Sequence, residues 1–136
     1  MKLHLYKREK PTVQAKPSLI QTISANRRGE YFSLNIKAIE VFGLTKNCYV
    51  IIAKDEDSRN DWYMTFGENL EGGTKLRFMV RNGHASSMRT RNKKAVIDLL
   101  NSVKAEKGAT FIISKTPKLI AGRNWYKILT KNPEKR

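Results

Sequence analysis

Cysteine, histidine and acidic residues are the scarce components of this 136-residue chain: one Cys, two His, and twelve Asp and Glu against twenty-seven Lys and Arg. Cys48, inside the apolar run Cys48-Tyr-Val-Ile-Ile52, has no partner for an internal disulfide and reads as a packing residue. One Cys with His4 and His84 far apart gives no zinc-ligand spacing, so no metal and no cofactor is expected. Asp55, Asp57 and Asp61 are the carboxylates a divalent-metal nuclease would use, but they fall in a polar hairpin connection. There is no glycine-rich phosphate loop with its Lys and no serine nucleophile turn, so the chain is expected not to be an enzyme. No apolar run nears the roughly 20 residues that span a bilayer, and the first ten residues lack the apolar stretch of a signal peptide. With no long basic amphipathic helix either, the expectation is a cytoplasmic protein without a membrane partner.

Positive charge is what the chain has in excess, +15 overall and unevenly placed. Residues 1–40 carry eight basic and three acidic side chains, residues 41–71 three and six, and residues 72–136 sixteen and three. A compact domain with that asymmetry has one half at strongly positive potential, which concentrates polyanions. Since 40% of the residues are hydrophobic, the chain can bury a core and is not a disordered basic tail.

Residues 1–16, with Lys7, Arg8, Lys10 and Lys16, read as a basic arm, and residues 131–136 as a basic tail. Between them, residues 17–130 read as one domain with an internal likeness. Asn35-Ile-Lys-Ala-Ile-Glu-Val-Phe42 resembles Asn92-Lys-Lys-Ala-Val-Ile-Asp-Leu99, and Val50-Ile-Ile-Ala-Lys54 resembles Phe111-Ile-Ile-Ser-Lys115. Asp61-Trp-Tyr-Met-Thr65 resembles Asn124-Trp-Tyr-Lys-Ile128. The pseudo-repeats cover about 18–70 and 74–130.

Each unit is expected as ββαββ. Strands over 18–24 and 30–34 flank the Asn26-Arg-Arg-Gly29 turn, a helix carries Ile36, Ile39 and Phe42 on one face with Gly43 as its stop, and strands 49–53 and 62–66 follow. In the second unit 74–81 is a strand and 85–88 a short one. Val96, Leu99, Leu100 and Val103 mark a helix that Gly108 closes, and 110–114 and 124–129 form the last hairpin. The predicted class is therefore α+β, antiparallel-sheet-rich, with two helices.

The strongest local signal is Lys75-Leu-Arg-Phe-Met-Val-Arg81. Strand periodicity puts Leu76, Phe78 and Val80 on one face and Lys75, Arg77, Met79 and Arg81 on the other. From Gly72 to Ile97 there is no acidic residue, while Lys75, Arg77, Arg81, Arg89, Arg91, Lys93 and Lys94 supply seven cations. Arg89 to Lys94 also fall at the predicted start of the second helix, where cations oppose the macrodipole unless an anion joins them. A phosphate backbone would neutralise the set, helped by Arg27, Arg28, Arg123 and Lys127. Tyr31, Trp62, Tyr63, Trp125 and Tyr126 are the candidate platforms for stacking unpaired bases, one ring of each Trp-Tyr pair facing inward and the other outward.

The duplicated sheet-plus-helix unit, the basic sheet face and the Trp-Tyr pairs resemble the Whirly and Pur-alpha architecture, which implies single-strand binding on curved antiparallel sheets. The segment from Tyr31 through Gly43-Leu44 to Ile52 is similar to the AbrB-type swapped-hairpin element, which implies a duplex-binding transcription regulator with DNA contacts near Arg27 and Arg28. The functional expectation is a non-enzymatic nucleic-acid-binding protein preferring single-stranded DNA or RNA. The alternatives are the AbrB-like regulator and an adaptor that docks on an acidic protein. Self-association is left open.

Overall fold

The computed structural model describes residues 20–57 and 61–136. The arm expected over residues 1–16 lies outside them. The described residues form ten strands and two helices: β1 (Thr22–Asn26), β2 (Tyr31–Asn35), α1 (Ile36–Phe42), β3 (Cys48–Lys54), β4 (Trp62–Glu68), β5 (Thr74–Lys75), β6 (Arg77–Arg81), β7 (His84–Arg91), α2 (Lys93–Ser102), β8 (Gly108–Ile113), β9 (Lys118–Ile120) and β10 (Arg123–Lys135).

Every pairing is antiparallel, and the strands run in the order β5-β3-β4-β10-β8-β1-β2-β7-β6, with β9 attached to β10. The two ends of that order, β5 and β6, are separated in the chain only by Leu76. They form one interrupted stave, which pairs with β3 through Tyr49↔Lys75 and with β7 through Arg77↔Arg89. Thr90 Oγ1 bonds Thr74 Oγ1 at 2.6 Å across the join. The sheet thus curls into a nearly closed barrel of eight staves, a size whose interior side chains can fill.

Alternation along the strands builds that filling. Ile23 and Ala25 on β1, Phe32 and Leu34 on β2, Met88 on β7 and Phe111 and Ile113 on β8 are all within 1% of complete burial. Leu76, Val50, Met64 and Ile128 complete the ring, and each fully buried large side chain is worth about 1.5–3 kcal/mol. The helices close the two ends. α1 leaves the Asn35 end of β2 and brings Phe42 against Phe66 of β4 and Tyr126 of β10, with ring centroids 5.2 and 4.6 Å apart. α2 leaves the Arg91 end of β7, which pairs with Tyr31 at the opposite end of β2, and buries Val96, Leu99 and Leu100. Asn35 and Asn92 cap them in the same way, each side chain accepting the amide three residues on, from Ala38 and Ala95. Gly43 ends α1 in the left-handed conformation, at φ 61°.

The expectation of an α+β chain is overturned: 54% of the structure is strand and 15% helix, so the molecule is a sheet-rich barrel with two helical plugs. Residues 84–91, expected as a short strand running into a helix start, are one eight-residue strand. A loop expected around Pro117 to Gly122 contains β9, and residues 131–135 of the expected tail continue β10. Beyond a bulge after Leu129, Glu134 and Lys135 pair with Thr110 and Ala109. The second helix stops at Ser102, not at Gly108, because Lys104 turns left-handed (φ 59°) and Ala105 N–H bonds back to the Leu100 carbonyl. Ile36, expected on the inner face of α1, is 38% exposed, and Ala38 is buried in its place.

The order has an internal exchange symmetry. Swapping β1 with the β5–β6 stave, β2 with β7, β3 with β8 and β4 with β10 leaves the ring unchanged and swaps α1 with α2. The axis of that exchange passes through the β2–β7 seam and the β4–β10 seam, on opposite walls. Trp62 is nonetheless buried (3% exposed) while Trp125 is only half-buried, and Tyr126 packs on the core while Tyr63 faces outward. The two Trp-Tyr pairs are therefore one residue out of phase, which flips every side chain to the other face.

Candidate nucleic-acid interface

Most of the expected basic set falls near the two seams, and one member is bonded into the fold. Arg27 is taken by the fold. Its Nε donates to the Glu106 carbonyl at 2.6 Å, and its Nη2 donates to Asn101 Oδ1 at 2.9 Å and to the Ala105 carbonyl at 3.0 Å. It ties the β1–β2 turn to the Asn101 side chain in the last turn of α2 and to the backbone just beyond that helix. Arg28, beside it, is exposed.

The first wall lies on β6, β7, β2 and β1. Register places Arg77 opposite Arg89, Arg89 opposite Ser33, Ser33 opposite Ser24, and Ser24 opposite Thr110. The neighbouring strand residues are buried inward, so this row points outward. Two pairings along, on the same face, Arg91 sits opposite Tyr31, and Tyr31 opposite Asn26. Two cations directly across a sheet repel, a cost that packing does not explain. Arg89 relieves part of it by lying over the Tyr31 ring, 4.4 Å from guanidinium carbon to centroid. That ring also presses on Gly29, where a Cβ would come within about 2.4 Å of two ring carbons, so any side chain there would displace the ring.

Glu30 is the carboxylate of this wall, 3.8 Å from Arg91 and 3.6 Å from Lys93, with both cation side chains more than two-thirds exposed. Exposed pairs of that kind contribute little. Among the described residues, Arg77, Arg81, Arg89 and Lys94 have no carboxylate within 4.0 Å. Beyond the arginines, Ser33, Ser24 and Thr110 keep the wall low and polar, with Ser24 and Thr110 hydroxyls bonded at 2.8 Å. Lys93 and Lys94 occupy the first turn of α2, whereas Arg89 and Arg91 stand on β7 rather than at the helix start where they were expected.

The second group lies on the β4–β10 seam. Tyr63 pairs with Lys127, whose Nζ is 3.3 Å from Asp61. Arg123 reaches beside Gly67, and Trp125 stands between Arg123 and Lys127 on the outward face. Lys75, on β5, covers Tyr49 with its ammonium 5.4 Å from the ring centre. Sequence reasoning passed over Tyr49 and Lys118, which lies 5.6 Å from the Tyr63 ring centre. Only the barrel order reveals that they join this wall. Of the five stacking candidates, Trp62 is internal, and its Nε1 is buried without a partner. Tyr126 is packed against Phe42 and Phe66.

The acidic connection holds its own carboxylates. Asp55 Oδ1 accepts the Asp57 amide at 2.9 Å, and Asp61 serves Lys127. Among the described residues no three His, Cys, Asp or Glu side chains gather to hold a metal ion. No helix among them is long and apolar enough to cross a membrane. No protein-family model, curated protein or solved structure matches the chain.

Proposed function

We propose that the protein binds nucleic acid without catalysing a reaction, that it prefers single-stranded DNA or RNA, and that phosphates sit on the β6–β7–β2 wall. The observation that carries this reading is the cross-strand pair Arg77 and Arg89, neither with a carboxylate within 4.0 Å among the described residues, flanked by the likewise unmatched Arg81 and by Arg91, whose exposed partner is Glu30. A polyphosphate removes the repulsion of that cluster and gains free energy from released counterions. Arg89, already stacked on Tyr31, offers its outer guanidinium face to an unpaired base. A convex barrel wall is also a poor fit to a duplex groove, which takes a helix or a two-stranded ribbon. The duplex-regulator alternative needs basic contacts at the β1–β2 turn, where Arg27 is committed to internal bonds.

The test is a titration of labelled single-stranded and duplex oligonucleotides of equal length at several salt concentrations. The expected outcome is tighter binding of the single strand, with affinity falling as salt rises. Tighter duplex binding moves the reading to the regulator. Absence of binding at low salt removes it, and leaves the acidic-protein adaptor.

A further inference from the structure

The outward residues of the opposite wall form three rows. Tyr49, Ile51 and Ala53 on β3 lie across from Gly67, Thr65 and Tyr63 on β4, and Tyr63 across from Lys127 on β10. Thr65 donates its hydroxyl to the Asn124 carbonyl at 2.8 Å and is 1% exposed although it faces outward, so its neighbours close over it. Around it Tyr49, Tyr63 and Trp125 are half-buried, and Gly67 adds no side chain to the surface.

The chemistry differs from that of the first wall. There, guanidinium groups dominate and one ring is present; here three rings dominate, and ammonium groups sit at two of them. From Lys107 to Pro133 the chain has no acidic residue, and Lys115, Lys118 and Arg123 are all exposed. Asp61 is matched by Lys127, while Asp55, Glu56 and Asp57 bound the wall at the β3–β4 turn and Glu68 stands exposed at the other end of β4. An outward cluster of rings with flexible cations beside them suits unpaired bases, whose stacking is worth about 1–3 kcal/mol each, while the lysines swing to the phosphates. In the eight-stave ring the β4–β10 and β2–β7 seams are two staves apart on each side, and the two sites adjoin only where the β5–β6 stave pairs with β3.

We infer that the barrel carries two polynucleotide sites on opposite walls, a phosphate-holding one at β6–β7–β2 and a base-stacking one at β3–β4–β10, and therefore bridges two single strands. The inference rests on the proposed nucleic-acid reading and adds a second site and a bridging activity to it.

The test mixes two short non-complementary single-stranded oligonucleotides, one labelled with a donor and one with an acceptor, and titrates the protein while its oligomeric state is followed. Energy transfer is expected to peak at two oligonucleotides per protein molecule and to fall in protein excess. Lys118→Glu combined with Tyr49→Ser is expected to abolish transfer and lower the stoichiometry to one, with first-site affinity changed less than about threefold. In a Trp62→Phe background, where Trp125 is the remaining tryptophan, occupancy of the second site is expected to quench fluorescence. One oligonucleotide per molecule, or transfer that survives the double substitution, overturns the bridging inference and leaves single-site binding intact. A wild-type protein that binds no oligonucleotide ends both.

Discussion

Arg27 and Arg28 are neighbours in one turn, yet Arg27 is half-buried and bonded within the fold while Arg28 is exposed. Arg27 donates to the Ala105 and Glu106 carbonyls just past α2 and to Asn101 Oδ1, and removing it leaves these three acceptors without that donor. Arg27→Ala is expected to lower stability by about 1–3 kcal/mol in urea unfolding. Oligonucleotide affinity should move less than about twofold; a large affinity loss without a stability loss would reassign the residue to the interface. Trp62 presents the converse case, a buried donor with no acceptor. Trp62→Phe removes that unsatisfied N–H along with some packing, so its cost should stay below the roughly 3–5 kcal/mol typical of deleting a large core ring. Thermal unfolding of the variant measures it.

At the scale of elements, the two asparagine caps make a matched comparison. Both accept an amide in the first turn of their helix. Asn35 also accepts the Thr22 amide at 3.1 Å and donates to the Ile20 carbonyl at 2.8 Å, joining α1 to the start of β1. Asn92→Ala should therefore cost about 1 kcal/mol, and Asn35→Ala visibly more, in paired urea titrations. The end of β10 gives a stronger test. Arg136 exchanges backbone bonds with Lys107 and Gly108 and donates its side chain to the Ala25 carbonyl at 3.3 Å. Deleting residues 131–136 bares the edge of β8, so lower stability and aggregation at raised concentration are expected. A fully stable truncated monomer would contradict that role.

These elements also mark what the sequence could carry. The 3.6-residue pattern of Val96, Leu99 and Leu100 and the Gly43 stop after Phe42 are local signals, and they located both helices, though not the end of the second. Leu76 and Phe78 of the 75–81 face were equally legible from alternation, but Val80, expected beside them, is 65% exposed beyond the bulge that follows Met79. What alternation does not report is which distant strand lies alongside. Lys131-Asn-Pro-Glu-Lys135 has the composition of a tail and becomes strand only because β8 offers it an edge. The Trp-Tyr likeness misled for the same reason: identical dipeptides sit one residue apart in phase, which pairing sets and composition does not. The site was legible as a list of cations and rings. Its division between two walls depended on a closure through Leu76 that no local pattern announces.

At the scale of the molecule, charge and topology combine. Residues 41–71, with an excess of three acidic side chains, supply β3 and β4, while the acid-free segment 72–97 supplies β5, β6, β7 and the start of α2. The barrel is consequently polarised, most positive along the β6–β7–β2 wall. Salt acts on such a cluster through the phosphates it neutralises, with a slope of about −0.7 per contact for single strands.

The central claim is that Arg77, Arg89 and Arg91 together hold the phosphates of a single strand. Its most direct measurement is the affinity of wild type and of the Arg77→Ala, Arg89→Ala, Arg91→Ala triple variant for one single-stranded oligonucleotide, across a series of salt concentrations. The variant should bind more weakly at low salt, and its log–log salt slope should be shallower by about 2. Equal affinities and parallel slopes would contradict the account.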